Sequence, residues 1–134
     1  DEFQQIMYQQ PHLTPDERNR VWLELEHKYR PWIDFADLPF YGRGAGWQRQ
    51  LHIYECPFYY IDYCLAQTVA LQFFAAHLAD PKDAWQRYLA LVRQAGTASY
   101  PQLVKAAGLA VPFEDGSLAP VAHTVAQWIV EHQV

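Results

Sequence analysis

Residues 57–78 constrain the fold more than any other part of the chain. They read as one long helix with Pro57 in its first turn and apolar side chains around nearly the whole circumference. A helix apolar on every side has to be buried among other helices. Asp62, Gln67, Gln72 and His77 break the run. No uninterrupted apolar stretch therefore reaches the roughly 18–20 residues of a membrane span, and the burial expected is inside protein.

The segments around it follow the same helical logic. Phe3, Ile6, Met7 and Gln10 recur at helical spacing until Pro11 stops them. Thr14-Pro15-Asp16-Glu17 is a helix start: Thr14 caps, Pro15 fits the first turn and Glu17 completes a capping box. That helix is expected to reach Tyr29, with Val21, Trp22, Leu25 and Tyr29 on one face. Asp80-Pro81 opens another helix, which runs to Gln94 and stops at Gly96. Ser99-Tyr100-Pro101-Gln102 starts a short one ending near Gly108. A turn over residues 112–117 leads to a last helix over 118–133, with Val121, Val125, Trp128 and Ile129 inward. Residues 48–55 fit either a helical turn or an extended stretch. No clear strand patterning and no internal repeat is found. The expectation is an all-α array of about six helices in one segment, residues 1–134.

Residues 31–47 form a long loop. It carries Pro31, Pro39, Gly42, Gly44 and Gly46, yet it also holds Trp32, Phe35, Phe40, Tyr41 and Trp47. A loop this aromatic is expected to pack down, and one this long to serve function. The glycines beside Arg43 would let backbone N–H groups approach a bound peptide as an added strand.

Composition removes several classes. With 51% hydrophobic residues the chain is not disordered. A net charge of −5 without a Lys/Arg block argues against nucleic acid. Cys56 and Cys64 on one helix would lie about 12 Å apart, beyond the ~7 Å limit for a disulfide. They are read as reduced, and the compartment as cytoplasmic. No CxxC provides a zinc pattern. The chain begins at Asp1 in polar helical sequence without a signal-peptide pattern, and so reads as a piece of a longer polypeptide.

GRGAGWQRQLHIYECPFYYIDYCLAQ, residues 42–67, resembles the C-terminal catalytic region of M3 zinc metallopeptidases of the oligoendopeptidase F type. The opening DEFQ, TPDER and the closing PFEDGSLAPVAHTVAQWI resemble it too, so the likeness covers essentially the whole chain. It implies a helical metallopeptidase fold of which this is the C-terminal part. The zinc-binding HExxH helix and a later Glu belong upstream, and this chain has no HExxH. The resemblance therefore implies a Zn2+ cofactor in the parent enzyme, with no metal ligands here.

Peptide hydrolysis passes through a tetrahedral intermediate whose oxygen needs hydrogen-bond donors. By the resemblance, His52 and Tyr59 are the catalytic candidates, and Tyr63, Tyr60 and Tyr54 the substrate-binding ones. Tyr63 follows Tyr59 at i+4 and would share its helix face. Without the resemblance, a His near a helix start or a Tyr at helical spacing reads as structural. Asp62 reads as a buried partner for an Arg or Tyr, and Gln67 and Gln72 as bonds between helices. Glu24-Leu25-Glu26-His27 offers an ExxH as in di-iron bundles, but no second ExxH exists, and Glu24 and His27 read as a solvated face.

The resulting expectation is a fragment of a zinc metalloendopeptidase, inactive alone, that supplies His and Tyr donors for cleaving short peptides. Its partners would be an oligopeptide and the missing N-terminal part, with self-association through an exposed cleft face. Neither nucleic acid nor membrane is expected. The alternative is a non-catalytic helical module that binds a peptide or protein.

Overall fold

The structure, a computed structural model, describes residues 1–35 and 37–132. Within them lie seven α-helices and one 3-10 helix, and no strand. In order these are α1 Glu2–Gln9, α2 Pro15–Tyr29, the 3-10 helix Ala45–Arg49, α3 Leu51–Glu55, α4 Tyr60–Ala79, α5 Pro81–Arg93, α6 Tyr100–Ala106 and α7 Ala119–Glu131. The all-α class is as expected. The helix beyond the expected number is α3, in the stretch whose sequence fits two conformations. Gln133, the expected end of the last helix, lies outside the described residues. The chain divides into two compact units, Asp1–Asp62 and Tyr63–Val134.

In the first unit the capping box forms as the sequence requires. Glu17 N–H donates to Thr14 Oγ1 at 3.4 Å, and Thr14 N–H donates to Glu17 Oε2 at 2.8 Å. This fixes where α2 starts, and α2 then receives α1 through rings. Phe3, 3% exposed, meets Trp22 edge-on at 5.1 Å and lies 5.4 Å from Trp47. Lys28 Nζ donates to the Glu2 carboxylate at 2.8 Å across the same pair of helices.

The glycine loop packs down on α2, and this corrects its expected role. Gly44 has φ +76°, and a Cβ there would sit 2.0 Å from the Asn19 carbonyl oxygen. A Cβ on Gly46 would approach Trp22 Nε1 to 2.9 Å. The N–H groups of Gly42 and Gly44 donate to Leu38 O and Tyr41 O. The glycines thus serve close approach to α2, and those N–H groups bond within the loop instead of waiting for a peptide strand. Trp47 Nε1 donates to Asn19 Oδ1 at 2.9 Å, closing the contact. Phe35 and Phe40 pack on Tyr41. Trp32 departs from the expectation at 77% exposed.

The second unit has an aliphatic centre. Val104, Ala107, Leu109 and Val111 are buried together, with Val69, Phe73, Leu91 and Tyr100 packed against them. Asp80 caps α5 by accepting from the N–H groups of Lys82 and Asp83. Gln102 caps α6, its Oε1 accepting from Ser99 N–H at 3.0 Å. Arg87 donates to the carbonyls of Ala107 and Gly108, satisfying the end of α6. Gln72 bonds both backbone groups of Ala110, so it ties a helix to a loop. Trp128 of α7 meets Phe74 edge-on at 5.3 Å.

Two burial expectations fail. No residue of α4 or α7 is buried, and Ile129 is 48% exposed. The all-round apolar pattern of α4 is real, but too little of this chain packs on it to cover every side. Asp62 is exposed and is not a buried partner.

Candidate active site

Of the sequence-predicted residues, His52, Tyr59 and Tyr60 come together at the corner between α3 and α4, in the first unit. Its geometry begins with Phe58, whose φ is +65°, the only non-glycine positive φ among the described residues. A left-handed residue cannot continue a right-handed helix. The long helix therefore starts at Tyr60 and not at Pro57. Tyr59 stands just before α4, its N–H donating to Cys56 O at 3.1 Å.

The turn carries Tyr59 back over α3. The His52 and Tyr59 rings lie parallel, 5.3 Å apart and 5° from coplanar orientation. Tyr60 closes on the same imidazole at 4.8 Å and 59°. Tyr60 also donates its hydroxyl to Gln50 Oε1 at 2.7 Å, which fixes that ring. His52 and Tyr60 are half-buried, whereas Tyr59 is 43% exposed. The corner thus holds an imidazole and two phenols in mutual contact, with one phenol at the surface.

Tyr54 and Tyr63 lie on α3 and α4 respectively. Tyr54 is two residues beyond His52 on α3, about 200° around a helix, and its ring lies 6.3 Å from Trp47. Desolvation holds its hydroxyl above the usual tyrosine value, partly opposed by Arg18. Tyr63 belongs to the second unit, on α4, and is 53% exposed. Two residues that sequence reasoning missed complete the corner. Gln50 anchors Tyr60, and Gln4 of α1, 3% exposed, accepts from Phe58 N–H at 2.9 Å. Neither carries a motif. The only available signal was the position of Gln4 beside Phe3 on the inner face of a short helix.

Among the described residues no three His, Cys, Asp or Glu side chains are grouped as a metal ion requires. Cys56 and Cys64 are free thiols, both exposed. No helix among the described residues is long and apolar enough to cross a membrane.

The chain is similar to two solved peptidase structures. It is 46% identical to an X-ray structure assigned to oligoendopeptidase F, with a TM-score of 0.89, over 96% of this chain and 23% of that one. It is 43% identical to PZ peptidase A, solved with an inhibitor, again at a TM-score of 0.89, over 97% of this chain and 23% of that one. The chain thus spans about a quarter of the length of these solved relatives. No family model and no curated protein matches it.

Proposed function

We propose that this chain is the C-terminal part of a zinc oligopeptidase acting on short peptides in the cytoplasm. It would supply hydrogen-bond donors to the tetrahedral intermediate, the metal being held by residues outside it. The observation that carries the reading is the parallel pairing of His52 with a surface-exposed Tyr59, in a chain similar to solved structures of an oligoendopeptidase F and of PZ peptidase A.

Addition of water to a peptide carbonyl turns a neutral oxygen into an anion. Donors already aimed at that oxygen stabilise the transition state more than the substrate. The Tyr59 hydroxyl and an imidazole N–H of His52 are both donors, and the stacked rings hold them in one orientation. Tyr60, anchored on Gln50, buttresses His52 and contacts substrate with its ring. Tyr54 and Tyr63 would each offer a further phenol to the substrate.

The isolated chain would be inactive and bind no stoichiometric zinc. Exposed apolar residues such as Val130, 71% exposed, and Ile129 favour a segment that packs against the missing N-terminal part over a self-contained binding module. Without that part the chain is expected to self-associate as concentration rises, which a sizing column at two concentrations reads.

The test joins the chain to its upstream part and follows cleavage of an internally quenched oligopeptide. His52→Gln should lower kcat/KM by about 10²–10³-fold, the usual cost of one oxyanion donor. Undiminished turnover by that variant, or tight zinc and peptide cleavage by the 134 residues alone, would overturn the reading.

A further inference from the structure

We infer that Gln4 is the positioning residue of the His–Tyr corner: its side-chain oxygen holds Phe58 in a left-handed conformation and so sets the direction of Tyr59. The inference rests on the reading of His52 and Tyr59 as donors.

Three observations converge. Phe58 at φ +65° is unfavourable for a residue with a Cβ and persists only where its surroundings fix it. Its N–H donates to Gln4 Oε1 at 2.9 Å, a bond between residues 54 apart in sequence. Gln4 is 3% exposed, so its amide is held by packing and points without the freedom of a surface side chain. The Phe58 ring also rests on Tyr8, 5.6 Å away, one turn further along the same helix. Helix α1 therefore grips the corner twice, once by a hydrogen bond and once by a ring.

The consequence falls on the next residue. If Phe58 relaxed to a negative φ, the chain would leave the corner in another direction. Tyr59 would then lose its parallel seat on His52. No sequence motif links positions 4 and 58; the contact exists only because α1 returns to the corner in the fold.

The test reads amide hydrogen exchange and ring resonances by NMR on the 134-residue chain, with no activity measured. A negative result therefore bears on positioning alone and leaves the donor roles to their own assay. In the unmodified chain the Phe58 amide should be protected although it lies outside any helix. Gln4→Met keeps length and removes the amide acceptor. It should speed Phe58 exchange about tenfold, the worth of one buried hydrogen bond, and move the His52 and Tyr59 ring resonances together. Gln4→Glu keeps an acceptor oxygen and should leave both signals in place. Gln4→Met with Phe58→Gly should restore the ring resonances, because glycine holds a positive φ unaided. A purely structural Gln4 would not be rescued in that way. An unprotected Phe58 amide in the unmodified chain overturns the inference. So do unmoved His52 and Tyr59 resonances in Gln4→Met, or a double variant that stays perturbed. Should Gln4→Met fail to fold, Gln4→Glu decides: lost Phe58 protection in that folded variant contradicts the role of the acceptor.

Discussion

The two units differ in what fills their centres. In Asp1–Asp62 the elements are joined by directional contacts: Trp47 to Asn19, Phe58 to Gln4, Lys28 to Glu2, and Phe3 edge-on to Trp22. In Tyr63–Val134 the centre is aliphatic, with Val104, Ala107, Leu109 and Val111 excluding water together. Hydrophobic burial is non-directional, whereas a hydrogen bond fails within a few tenths of an ångström and a few tens of degrees. The proposed donor corner needs orientation, and directional contacts surround it in the first unit. The aliphatic unit supplies a packed helical frame and carries α4 and α7 with no residue buried.

The glycines give the sharpest way to break that comparison. Gly44→Ala in the first unit brings a Cβ within 2.0 Å of the Asn19 backbone at φ +76°. It should destabilise that unit by more than about 3 kcal/mol. Gly96→Ala in the second has φ +78° but nothing within 4 Å, and should cost only about 1–2 kcal/mol. Denaturant melts of the two variants check the difference; equal losses would show that the loop does not rest on α2.

Smaller effects sharpen the contrast. Val104→Ala removes two methyl groups at a site 1% exposed, and should cost about 2 kcal/mol without moving the His52 resonances. Thr14→Ala deletes the α2 cap and should cost about 1 kcal/mol in a thermal melt, with the loss confined to the first unit. Smallest is the response to acid. Lys28 and Tyr29 bonded to Glu2, and Thr14 bonded to Glu17, hold both carboxylates below their ordinary value. Their folded values lie under the unfolded ones. The stabilisation is thus complete above the unfolded value and fades as pH falls through the folded one. Indole fluorescence of Trp22 and Trp47 should report loosening at acid pH, and Glu2→Gln should flatten that response.

What the sequence showed and what it hid divides along the same line. The caps at Thr14, Asp80 and Ser99 were legible because capping is decided within four residues. The apolar character of α4 was legible for the same local reason. Its start was not, because Phe58 adopts a left-handed conformation that nothing in CPFYY announces, with Gln4 bonded to it from 54 residues away. The same turn places Tyr59 just before the helix. His52 and Tyr59 were named by resemblance alone; the Tyr60 ring lies as close to the imidazole as that of Tyr59. Gln50 and Gln4 were invisible, since an isolated glutamine gains meaning only from the fold around it.

The most direct measurement is the separation of kcat from KM for Tyr59→Phe in the chain joined to its upstream part. A phenol that donates only to the developing oxyanion predicts kcat lower by about 10²-fold with KM nearly unchanged. An unchanged kcat, or a loss confined to KM, would show that Tyr59 is not a transition-state donor and would contradict the account.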